Sequence, residues 1–195
     1  MTFKIFDDKI VVPLKCGTRY CESIFPSCET VWDTLWYADE SIINKNYWMV
    51  YRHPMEHLIS ALQTEMAMVL NGHDTTKTLN DIIDRFCREK GTGHWGRDVC
   101  KSLHTYWYNN QSYVNLIELK DLSNALQSFG YNTIEYNKKE YDFDYLHNEW
   151  DKEDCVNYVI ENRPKEWEWL KWCASNDMDY YDRLNKRLPP PPKFI

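Results

Sequence analysis

Residues 10–19 constrain this chain more than any other stretch. Ile10-Val11-Val12-Pro13-Leu14 is a continuous apolar run, and it gives way at once to the polar, glycine-bearing segment Lys15-Cys16-Gly17-Thr18-Arg19. A strand that is apolar at every position is buried on both faces, as in a parallel sheet. The expected strand runs from Lys4 to Lys15, and its loop feeds a short helix from Arg19 to Phe25 that Pro26 stops. The same unit recurs. Tyr47–Tyr51 (YWMVY) reads as a second strand, with Pro54 in the first turn of a helix that reaches Leu70. Leu58, Leu62, Met66 and Val69 form the apolar stripe of that helix, and Asn71-Gly72 ends it. Tyr113–Leu119 reads as a third strand, followed by a helix from Asp121 to Phe129 with Asp121 as its cap, and Tyr131–Tyr136 as a short fourth strand.

Helical patterns also cover Thr78–Lys90, Asp98–Trp107, Asp151–Asn162, Pro164–Ala174 and Asp177–Arg187, before a stiff Pro189–Pro192 tail. Strand–loop–helix units in series predict an α/β fold with a mostly parallel central sheet flanked by helices and a helical C-terminal part. We expect a single domain over 1–188 and a Pro-rich tail over 189–195.

Composition narrows the function classes. The 195 residues include 9 Trp, 14 Tyr and 7 Phe, ample material for a packed core. A net charge of −7 argues against a general nucleic-acid binder while leaving room for a local cationic pocket. No stretch approaches 18 uncharged apolar residues, and Asp7 and Asp8 interrupt the N-terminal segment, so the expectation is a cytoplasmic protein that meets no membrane. Seven cysteines are an odd number with no C-x-x-C pair, which predicts reduced thiols. Six histidines without an H-E-x-x-H pair indicate no metal site.

In open α/β sheets, ligands bind where strands end and helices begin. Two corners carry suitable chemistry. In the first, Gly17 lets backbone approach an anion, Lys15 adds a charge and Thr18 a hydroxyl. It is not a Walker A loop, which needs two glycines and a Lys after the second. In the second corner, Arg52 ends a strand and can grip a phosphate in bidentate fashion, with Ser60 on the following helix.

Together the corners resemble the cytosolic-type and carbohydrate sulfotransferases. Their 5′-phosphosulfate loop, P-K-x-G-T-[TS], is similar to Pro13-Leu14-Lys15-Cys16-Gly17-Thr18-Arg19, and their R-[DN]-P-x-E-R-x-x-S motif to Arg52, Pro54, Glu56 and Ser60. Asn115–Leu122 resembles the late I-x-L-E-D-L strand and helix, and His94-Trp95 a His-Trp loop of the carbohydrate branch. One extra residue separates Pro13 from Lys15, Arg19 replaces the second Thr or Ser, and His53 and His57 replace the usual acidic and basic residues.

The resemblance implies a three-layer, P-loop-like fold. It implies a sulfotransferase that takes 3′-phosphoadenosine-5′-phosphosulfate as donor and releases 3′,5′-adenosine bisphosphate, without a metal. Lys15, Cys16, Gly17, Thr18 and Arg19 would surround the 5′ end, and Arg52 and Ser60 would hold the 3′-phosphate. The acceptor is a hydroxyl or amine of a saccharide, small molecule or peptide. Lys15 is suited to stabilise charge on the leaving oxygen. A base must take the acceptor proton, and His94 and Glu40, with Asp39 beside it, are the candidates.

Two other readings compete. One is a nucleotide-dependent phosphotransferase, against which the missing Walker A glycine counts. The other is a non-catalytic module that binds a nucleotide or a protein. The aromatic residues Trp150, Trp167, Trp169 and Trp172 fall at helical spacing, which favours core packing over a stacking platform.

Overall fold

The computed structural model describes residues 2–32, 47–88, 95, 114–133 and 150–188. Glu40, Asp39, His94, the 98–107 helix and the proline tail lie outside them.

The first expected strand is two. Asp7 and Asp8 take positive φ values of 49° and 53°. The Lys9 amide donates to the Phe6 carbonyl at 3.1 Å. The chain therefore doubles back between β1 (Thr2–Phe6) and β2 (Ile10–Pro13), which pair antiparallel. Aspartate enters the left-handed region more readily than most residues, so this turn forms without the glycine that would have advertised it. A further strand, β3 (Glu29–Trp32), pairs antiparallel with β1. Beyond β2 come β4 (Tyr47–Tyr51) and β5 (Val114–Glu118), both parallel. The sheet order is β3-β1-β2-β4-β5. The fold is α/β, but the sheet is mixed rather than mostly parallel, because the hairpin adds an antiparallel edge to a parallel trio. All four residues of β2 are buried, as the apolar run predicts, since β2 lies between β1 and β4.

The described helices are α1 (Thr18–Ile24), α2 (Pro54–Leu70), α3 (Leu79–Cys87), α4 (Leu122–Ser128), α5 (Lys152–Asn162) and α6 (Pro164–Lys186). Only the four residues 14–17 join β2 to α1, too few for a Walker-type P-loop. A 3-10 turn, Leu119–Asp121, leads into α4. Asp121 makes no side-chain cap bond there, contrary to expectation, because the preceding turn already delivers the chain in near-helical geometry. Of the expected fourth strand, Tyr131–Tyr136, residues 131–133 are not strand and 134–136 lie outside the described residues. The two last expected helices are one. Leu170, Cys173, Ala174, Asp177, Tyr181 and Leu184 continue a single buried stripe through Ser175-Asn176, and that packing outweighs their weak helix propensity.

Two cores result. In one, Phe6, Ile10, Val12, Val50 and Ile117 on one sheet face meet Tyr20, Cys21, Leu122 and Leu126 of α1 and α4. Val11 and Met49, facing the other way, are also fully buried, so both faces of the central strands are covered. The second core is helical. Leu58, Leu62 and Met66 of α2 pack with Ile83 and Phe86 of α3, Val159 of α5 and Leu170 of α6. Trp95 belongs here, stacked on Phe86 with centroids 5.6 Å apart. Trp167 is buried in this core as packing predicts, whereas Trp169 and Trp172 stack on each other at 4.9 Å and stay exposed at 39% and 56%.

Candidate functional site

The parallel trio β2, β4 and β5 ends at one edge of the sheet, which brings residues 14, 52 and 119 to a common rim. The loop after β2 is a tight turn. The Cys16 amide donates to the Pro13 carbonyl at 3.0 Å, and Lys15 sits in the left-handed region at φ 67°. A positive φ at the third position is the mark of a type II turn, where glycine or asparagine is the usual occupant. Holding a lysine there costs about 1 kcal/mol. Gly17 follows at φ 90°, and a Cβ at this position would lie 2.7 Å from Leu119 Cδ1 and 3.0 Å from Leu122 Cδ2. Glycine is required twice over, by its dihedral and by the close approach of the β5–α4 connection.

Three successive carbonyls of this loop are engaged by side chains. The Thr18 hydroxyl donates to Pro13 at 3.1 Å, His57 Nε2 lies 2.9 Å from the Leu14 oxygen, and Arg52 Nη1 donates to Lys15 at 3.4 Å. Arg52 and His57 come from the second corner. Arg52 also pairs through Nε with Glu56 Oε2 at 3.4 Å, which leaves its second terminal nitrogen without a hydrogen bond among the described residues. His53 caps α2 by accepting the Met55 amide at Nδ1, 3.3 Å away, and Pro54 takes the first helical position, where no amide is needed.

An open cleft of about 260 Å³ lies beside these groups. Tyr20, Arg52, His53 and Glu56 form one wall, and Glu118, Leu119, Lys120, Leu122 and Ser123 the other. Among the described residues expected at the site, Arg52 alone lines it directly. Lys15, Cys16, Gly17 and Thr18 form the loop behind, joined to it through the Arg52–Lys15 bond and the Gly17 contacts. Arg19 opens the first turn of α1 and, like Cys16, stands outside the lining. Ser60, one turn beyond Glu56 on α2, is half-buried and outside it as well.

The far wall carries no ligand-binding motif in the sequence. Lys120 pairs with Glu118 at 2.7 Å, and that hydrogen bond raises the ammonium's pKa, keeping it charged. The signal was available: these residues follow the third parallel strand, where the same strand-end rule applies.

Burial drives the Cys16 thiol up to about 12 despite the opposing charge and backbone amide of Arg52. Cys16 is therefore a neutral packing group and not a nucleophile. Burial likewise raises the Tyr51 hydroxyl, with Glu118 adding to it, where the ring lies 4.9 Å from that of Tyr181. The cleft thus offers two cations, Arg52 and the exposed Lys120, each paired with a carboxylate, together with the Ser123 hydroxyl and the Tyr20 ring, next to a strained Lys-Gly loop. That set suits an anionic, ring-bearing ligand. Among the described residues no group of His, Cys, Asp and Glu could hold a metal ion, and no helix is long and apolar enough to cross a membrane. No family model, curated protein or solved structure matches this chain.

Proposed function

We propose that this chain is a sulfotransferase on a P-loop-like α/β scaffold, taking 3′-phosphoadenosine-5′-phosphosulfate as donor and a hydroxyl or amine as acceptor. The observation that carries the reading is the Arg52–Lys15 hydrogen bond at 3.4 Å, which joins two motifs 37 residues apart at one strand-end corner. Either motif alone is a commonplace string. Meeting at the rim of a parallel trio, they provide a cation for each end of a doubly phosphorylated nucleotide.

In this reading the 5′ end lies over the Lys15–Gly17 loop, and Arg52, with Ser60 behind it, takes the 3′-phosphate. The acceptor oxygen or nitrogen forms a bond to sulfur as the bond between sulfur and the bridging phosphate oxygen breaks. The electron pair stays on that oxygen, and 3′,5′-adenosine bisphosphate leaves. The Lys15 ammonium offsets the charge developing there. The acceptor proton passes to a base, for which His94 and Glu40 are the proposed groups. At about 260 Å³ the cleft is just below the roughly 300 Å³ at which ligand pockets usually begin. It accommodates part of the nucleotide, and the rest extends over the open rim.

Calorimetric titration with 3′,5′-adenosine bisphosphate, beside 5′-AMP and ATP–Mg²⁺, tests this. Selective binding of the bisphosphate, weakened at least tenfold by Arg52→Ala and less by Ser60→Ala, is expected. Preference for ATP–Mg²⁺, or no binding at all, overturns it.

A further inference from the structure

His57 is among the few buried polar residues, 6% exposed, in the first turn of α2. Its Nε2 lies 2.9 Å from the Leu14 carbonyl oxygen, 43 residues earlier. A carbonyl can only accept, so Nε2 carries the proton. The bonded carbonyl has a particular place in the turn. Pro13 to Cys16 is a four-residue turn closed by the Cys16–Pro13 bond, with negative φ at Leu14 and φ 67° at Lys15. The Leu14–Lys15 peptide is its middle peptide. Type I and type II turns share the closing bond and differ by a rotation of about 180° in that middle peptide. For an ordinary L-residue at the third position the type I form is preferred, because type II demands a positive φ. Something outside the turn must hold the flipped form. Among the described residues, the bonds from the Thr18 hydroxyl to Pro13 and from Arg52 to Lys15 fall on the carbonyls on either side of the middle peptide.

We propose that His57 is a positioning residue: its Nε2–H holds the Leu14–Lys15 peptide flipped, and so keeps Lys15 in the left-handed conformation that presents it to the 5′-phosphate end of the ligand. This rests on the function proposed above. A second consequence is mechanical. His57 and Arg52 lie on the same strand-to-helix corner, so this corner sets the shape of the phosphosulfate loop besides binding the other phosphate.

The test uses the full chain and two substitutions. His57→Gln retains an N–H donor near the Nε2 position, and His57→Leu fills similar space without one. Each is titrated with 3′,5′-adenosine bisphosphate and with 3′-AMP, which lacks the phosphate that the loop is to hold. The expected result is at least a tenfold loss of bisphosphate affinity in the Leu variant, with 3′-AMP changed less than twofold and the Gln variant within threefold of the parent. Equal weakening of both ligands, no weakening, or identical behaviour of Leu and Gln overturns the proposal.

If the parent chain binds neither ligand, the sulfotransferase reading has failed. The positioning role is then decided by amide hydrogen exchange at Cys16, which closes the turn. Exchange at least tenfold faster in the Leu variant alone supports the lock, and unchanged exchange overturns it. Should the Leu variant not fold, imidazole ¹⁵N shifts of the parent decide. A protonated Nε2 supports the bond, and an unprotonated one refutes it.

Discussion

The strand-end corner and the helical half of this molecule are built on opposite principles. In the helical half, local chemistry agrees with the fold. Thr78 and Asp81 form a capping box at α3, and Asp151 and Asp154 form another at α5. Arg163, at the joint between α5 and α6, bonds both Asp84 and Glu166. At the corner the local chemistry resists. Neither α1 nor α4 has a side-chain cap, Lys15 is held at φ 67°, and Gly17 is pressed against Leu119 and Leu122. Their carboxylates differ as well: hydrogen bonds hold Asp81 and Glu166 of the helical half below the usual carboxylate range, whereas burial pushes thiols upward in both regions, Cys16 at the corner and Cys87 and Cys155 in the helices. A region that keeps strained dihedrals is one where geometry has been kept at the expense of local stability.

The comparison can be broken at several points. Truncating Phe86 to alanine removes a fully buried ring stacked on Trp95 and is expected to cost about 3–5 kcal/mol in a urea melt. Ligand affinity measured well below the midpoint should stay within a few-fold, which would show that the halves are separable. Gly17→Ala is the counterpart at the corner. It places a methyl group in contact with two leucines at an unfavourable φ and is expected to cost about 2–3 kcal/mol, with bisphosphate binding lost at temperatures where the variant is still folded. An unchanged melting midpoint would mean that the loop relaxes freely.

Smaller effects sharpen the contrast. Asp151→Ala removes a cap that accepts the Glu153 and Asp154 amides at 2.7 and 3.0 Å, and should cost about 1 kcal/mol without altering ligand binding. Lys15→Gly should move stability the other way, up by about 0.5–1 kcal/mol, while abolishing bisphosphate binding, because the left-handed dihedral suits glycine. A fall in stability on this change would remove the strain argument.

The weakest expected effect is in acid. Bonds from Lys77 and Thr76 bring Asp74 down to about 2, and bonds from Thr78 lower Asp81. A carboxyl with a depressed folded-state pKa contributes stability above its unfolded value near 3.8, lost as pH falls through the folded one. Urea midpoints should therefore drop between about pH 4 and 2. An Asp74→Asn, Asp81→Asn double variant should show a shallower slope, whereas a slope equal to the parent's would place the acid response elsewhere.

The same division decided what could be read in advance. Pro54–Leu70 was legible to the residue because Pro at the first turn, a continuous apolar stripe and Asn71-Gly72 all coincide there. The hairpin at Asp7-Asp8 was not, since two aspartates stand where a glycine usually signals the turn. Nor was β3: strand pairing across a sheet edge leaves little periodicity in the four residues Glu29–Trp32. At the site, Lys15, Gly17 and Arg52 stood out by type and spacing. His57, Glu118, Lys120 and Ser123 did not, because their roles come from which loop or strand end lies opposite them.

By itself the sequence determined the helices over 54–70, 79–87 and 152–162, the buried central strand and the two strand-end corners, since periodicity, caps and turn residues act over a few positions. The tertiary structure alone decided that the sheet is mixed, that the last two helical patterns are one helix, and that Arg52 and His57 reach back to consecutive carbonyls of the Lys15 loop. The last of these depends on pairings between residues 37 and 43 positions apart, which no local preference encodes.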